Sequence, residues 1–101
     1  MRPEFSKVYP AQVSDTALKE MVIQYAAQYD SAILIKKITV QTEDSGYRVI
    51  MMVDMPAGPD LTSRILALKD FIIKNIERYS GIFIEDFNIV LNQTIDVQME
   101  V

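Results

Sequence analysis

The chain has 101 residues, 50% of them apolar and 24% charged, with a formal net charge of −4. That is the length of one domain, able to bury roughly two-thirds of the surface its unfolded chain exposes. Histidine, cysteine and tryptophan are absent, which excludes disulfides, thiolate and imidazole metal ligands and the commonest general base, and the acidic balance works against non-specific attraction to nucleic acid.

Residues 1–13 contain Pro3 and Pro10 among scattered polar residues, so they are predicted to form an irregular arm that docks through Phe5, Val8 and Tyr9. A single α+β domain is expected over 14–101. Met1-Arg2-Pro3-Glu4-Phe5 has no apolar run behind its positive charge, and no stretch of the chain has the apolar length of a membrane span. A cytoplasmic location is therefore expected.

The first helix is predicted to begin after Ser14, whose hydroxyl can accept from an early helical N–H, with Asp15 at the positive end of the helix dipole. Leu18, Met21, Val22, Tyr25 and Tyr29 follow at helical spacing and form the stripe expected to face a core. From Ile33 to Gln41 the β-branched content favours a strand. Ile33 and Ile35 lie on one parity and Ile38 and Val40 on the other, which a bulge near Lys36-Lys37 reconciles. Glu43-Asp44-Ser45-Gly46 supplies a turn, and Tyr47 to Val53 reads as the second strand of a hairpin. This strand is apolar on both parities and so is expected to be central.

Met55-Pro56-Ala57-Gly58-Pro59 breaks the pattern, and Asp60 is predicted to cap a second helix with Leu61, Ile65, Leu68, Ile72, Ile76 and Tyr79 as its main stripe. Gly81 fits a left-handed stop, because lacking a Cβ lets it take positive φ cheaply. In the last strand Phe83, Glu85, Phe87, Ile89 and Leu91 share a parity and are predicted to face the core, with Glu85 at a frayed start. The order is α-β-β-α-β, a three-stranded mixed sheet with both helices on one face, and the crossover between the second and third strands is expected to be right-handed. With those strands as parallel neighbours, the topology resembles the type II variant of KH domains.

Val49-Ile50-Met51-Met52-Val53, the helix ending Ile76-Glu77-Arg78-Tyr79-Ser80-Gly81, and Ile84-Glu85-Asp86-Phe87-Asn88-Ile89-Val90-Leu91 beyond it are similar to the alkaline shock protein family of Gram-positive bacteria. Tyr9-Pro10-Ala11-Gln12-Val13-Ser14-Asp15 is similar to that family's approach to its first helix, so the resemblance runs over most of residues 9–95. Gly81 and Asn88 are its structural markers. The resemblance implies a non-enzymatic cytoplasmic protein of cell-envelope stress homeostasis, without cofactor or metal, that self-associates and is held at the inner face of the membrane by an anchored partner.

Three sets of residues invite a site. Asp54, Asp60, Glu85 and Asp86 could supply oxygen ligands to a hard cation, but Glu85 and Asp86 alternate across a strand and point to opposite faces. Lys36, Lys37, Tyr47 and Arg48 could contact RNA through charge and stacking, as an alternative KH-like and ribosome-associated reading would require. The Gly-x-x-Gly clamp of such domains is absent, and the three cations also suit protection of an edge strand. Ile50, Met52 and Val90 lie on the parity that a single helical layer leaves uncovered. Burying that surface in a second copy, on the order of 300 Å² at about 25 cal/mol per Å², yields roughly 7 kcal/mol before the cost of association, enough for a weak dimer.

Overall fold

The computed structural model describes residues 14–96. The arm at 1–13, with Phe5, Val8 and Tyr9, lies outside the described residues. In chain order the elements are α1 (Asp15–Tyr29), β1 (Leu34–Glu43), β2 (Gly46–Pro56), α2 (Leu61–Ser80) and β3 (Ile84–Ile95). The strands form one sheet in the order β1-β2-β3, with β1 antiparallel and β3 parallel to the central β2. The protein is thus α+β with a mixed sheet, as its sequence predicts.

Ser14 caps α1 as expected: its Oγ accepts from the Ala17 N–H at 3.0 Å. After Tyr29 the backbone becomes extended at Asp30, whose carboxylate accepts from the Ala32 N–H at 3.0 Å and turns the chain into β1. Leu18, Val22 and Ala26 are the buried residues of α1, while Met21 and Tyr25 pack at the margin. Tyr29, placed in the core stripe by its spacing, instead lies outward with its ring 5.3 Å from that of Phe71.

The core row of β2 is Tyr47, Val49, Met51, Val53 and Met55, all buried beneath the helices. Ile38 and Val40 of β1 stand opposite Met51 and Val49 in the same layer. The parity conflict in β1 is resolved where expected: Ile35 pairs with Val53 and Lys37 with Met52, leaving Lys36 as the extra residue.

Asp60 occupies the position before α2 but does not cap it. Its backbone is left-handed (φ 54, ψ 45) and its side chain makes no capping hydrogen bond; capping by a side chain suits an extended backbone. Arg64 ties down this loop instead, donating from Nη1 to the Pro56 carbonyl at 2.9 Å and from Nε to the Pro59 carbonyl at 3.2 Å. Leu68, Ile72 and Ile76 form the buried ridge of α2, with Leu61 and Ile65 at its edge. Tyr79, predicted to extend that ridge, is 68% exposed beside the terminus. Gly81 closes the helix in the left-handed region (φ 76), its N–H donating to the Glu77 carbonyl at 3.1 Å.

The start of β3 corrects the predicted alternation. Ile82 and Ile84 are buried, whereas Phe83 is 57% exposed and Glu85 faces solvent. The cause is a register shift: Tyr47 pairs with Ile84 and Arg48 with Asp86, so Glu85 is the extra residue. Beyond it Phe87, Ile89 and Leu91 oppose Val49, Met51 and Val53 on the core side, as predicted. Glu85 is held rather than frayed, its carboxylate accepting from Ser45 Oγ at 2.6 Å. A second shift leaves Asn92 as the extra residue between Leu91 and Gln93.

At Gly46 (φ 148) the start of β2 passes so close to Phe83 that a Cβ would lie 2.8 Å from both the Phe83 ring and its carbonyl oxygen. That carbonyl accepts from the Tyr47 N–H at 3.2 Å, so it cannot move without loosening the first rung of the crossover. Gly46→Ala is expected to destabilise the domain by about 2 kcal/mol, a fall in Tm on the order of 10 °C at this size, measured by thermal melting. A Tm within a degree or two of wild type would show that this approach is easily relaxed.

Candidate functional site

Because both helices lie on one side, the even-numbered residues of β2 face the other side of the sheet with no layer above them among the described residues. Ile50 sits between Thr39 of β1 and Asn88 of β3, and Met52 between Lys37 and Val90. Ile50 and Val90 are each 43% exposed and Met52 is half-buried, so these three form a small apolar ribbon in the middle of the open face. One end of the ribbon is ionic: Arg48 lies between Gln41 and Asp86 and its Nε is 3.6 Å from Glu43. Asn88, beside Ile50, is exposed and donates to Asp86 at 3.4 Å.

The other end holds Asp54, the buried charged residue of the described chain, at 2% exposure. A carboxylate taken from water needs partners, and two bulges deliver them. Asn92, the extra residue of β3, donates Nδ2 to Asp54 Oδ1 at 2.9 Å, and Gln93 Nε2 approaches Oδ2 at 3.5 Å. Lys36, the extra residue of β1, places Nζ 3.8 Å from Oδ2. The Lys36 side chain is 48% exposed, so the amide of Asn92 is the stronger contact. By sequence Asp54 stands out only as a possible metal ligand; the signal for its pairing with Asn92 and Gln93 is a charge in a central apolar strand and two adjacent amides that follow the apolar run Ile89-Val90-Leu91.

The carboxylates considered for a cation are dispersed. Asp54 is enclosed by amides, Asp60 lies in the loop before α2, and among the described residues no three His, Cys, Asp or Glu side chains gather as a metal site requires. Of the four residues of the RNA reading, Lys37 and Arg48 lie on the open face and Lys36 reaches Asp54 at its end, but Tyr47 does not join them. Tyr47 is 7% exposed on the helix side, which removes its ring as a stacking platform, while Arg48 lies on the open face in contact with Glu43 and Lys36 in contact with Asp54.

On the helix side, a shallow groove of about 360 Å³ runs between the end of α1 and α2, lined by Tyr29, Phe71, Asn75 and Arg78. Its cations are engaged: Lys74 pairs with Asp70 at 3.3 Å, and Arg78 lies 5.9 Å from the Tyr79 ring centre. A second groove of about 250 Å³ lies between α1 and β1. Among the described residues no helix is long and apolar enough to cross a membrane. No family model matches the chain, no curated protein matches its sequence and no solved structure matches it.

Asp54 makes the polar end of the open face measurable. Asp54→Ala strands the Asn92 amide and is expected to cost about 2 kcal/mol in urea unfolding, and a double-mutant cycle with Asn92→Ala should return a coupling of about 1 kcal/mol. Strict additivity of the two substitutions would show that the contact contributes nothing to stability.

Proposed function

We propose that this protein is a non-enzymatic interaction module that associates with copies of itself through the open sheet face, with Ile50, Met52 and Val90 at the contact. The exposure of Ile50 and Val90 on a sheet face that no helix covers among the described residues is the observation that carries the reading. The ribbon is narrow, which suits a weak and concentration-dependent association rather than an obligate dimer. The ionic end around Arg48 and Asp86 can set the register of two such faces against each other.

The resemblance to the alkaline shock family supplies the setting: a cytoplasmic scaffold of envelope-stress homeostasis, recruited to the inner face of the membrane by an anchored partner, on a KH-like topology that serves assembly. Catalysis has little support from the residues at hand. The charged side chains on the open face are either paired, as Arg48 and Asp54 are, or stand alone without a neighbouring nucleophile and base. RNA binding through Lys36, Lys37, Tyr47 and Arg48 is the weaker reading, since it loses its aromatic ring to the core.

Sedimentation velocity over a concentration series up to about 1 mM is expected to show a rising average mass, the range in which weak contacts of a few kcal/mol become populated. Met52→Lys, at a half-buried surface position, should abolish that rise while leaving the thermal unfolding cooperative. A wild-type protein that stays monomeric throughout would overturn the proposal, as would an assembly indifferent to Met52→Lys.

A further inference from the structure

The groove between α1 and β1 has features that self-association through the open face does not use. β1 is an edge strand, so the backbone N–H and C=O groups on its outer side have no strand beside them among the described residues. From Lys37 to Gln41 its register with β2 is regular, which leaves the outer row equally regular past the bulge at Lys36. α1 overhangs this edge with Ile23, 47% exposed, and the groove is lined by Ile23, Ile35, Ile38, Lys19, Lys36 and Lys37. Three cations around an apolar floor stand out in a chain of net charge −4. Among the described residues neither Lys19 nor Lys37 has an ion-pair partner, and Lys36 alone is committed, to Asp54.

We propose that this groove takes an extended segment of a partner protein in which apolar and acidic residues alternate, docked by strand addition along residues 37–41 of β1. An added strand satisfies the free backbone groups of the edge and sends successive side chains to opposite faces. On the helix side those side chains meet Ile23 and need to be apolar. On the other side they meet Lys37, which shares that face with Met52, and need to be acidic. The same lysines attract an acidic strand and would oppose one another where two β1 edges met at Lys37.

A fluorescein-labelled seven-residue peptide of alternating Ile and Glu, titrated with the full chain at low salt and followed by anisotropy, tests the proposal against an Ile/Lys peptide of the same length. The Ile/Glu peptide is expected to bind about tenfold more tightly, with the advantage shrinking as salt rises. Replacing both cations, Lys19→Glu with Lys37→Glu, should invert the preference, and Ile23→Ser should weaken both peptides. Amide shifts on binding should follow residues 35–41. Equal affinity for the two peptides, no binding at millimolar protein, a preference untouched by charge reversal, or shifts centred on Ile50 and Val90 would each overturn it. Lys37 borders both the groove and the open face, but Ile23 belongs to α1 on the helix side, so the sedimentation behaviour of the Ile23→Ser variant should match wild type, which keeps the two proposals separately testable.

Discussion

The structure depends on one constraint: β2 is the central strand, with apolar residues on both faces, and the described residues supply helices for only one of them. The row Tyr47, Val49, Met51, Val53 and Met55 packs under α1 and α2 and accounts for a third of the buried apolar core among the described residues. Every other element is arranged around that row. β1 and β3 flank it, and the crossover helix α2 returns the chain so that β3 runs parallel to it. A sheet with one solvated face normally alternates apolar and polar residues. Ile50 and Met52 break that rule in the very strand whose other row is the core, and the functional proposal grows from this break.

Irregularities in the two outer strands adapt them to this fixed centre. Lys36, Glu85 and Asn92 are each one residue too many for the ladder, and each shifts the side chains beyond it to the opposite face. The shift at Glu85 moves Phe83 out and Phe87 in, while those at Lys36 and Asn92 converge on Asp54 and close one end of the open face with a polar cluster. A half-satisfied carboxylate there would be costly, so the cluster also penalises any register that separates Asn92 from Asp54.

Much of this architecture was legible from periodicity. The order of elements, the cap at Ser14, the stop at Gly81, the bulge in β1 and the central place of β2 all follow from local signals that act within a few residues. What escaped was set by contacts distant in sequence. Asp60 has the right residue type for a cap, yet prolines on either side of Gly58 and the reach of Arg64 fix the loop in another conformation. Tyr29 and Tyr79 fit helical stripes by spacing but lie at helix ends, beyond the sheet they were expected to cover. Glu85 looked like a flaw in a core alternation because a strand read alone does not reveal a bulge. The open-face residues were legible for a simpler reason: two apolar parities and one helical layer leave one row without cover.

The proposed self-association and the peptide groove use different physics, the first apolar burial and the second backbone pairing selected by charge, and they adjoin at Lys37. Methyl NMR during dilution tests the central account most directly, because it reads both rows of β2 in one sample. The account predicts that the methyls of Ile50, Met52 and Val90 shift with protein concentration while those of Val49, Met51 and Val53 stay fixed. Spectra in which the two rows respond alike, or in which neither responds, would contradict it.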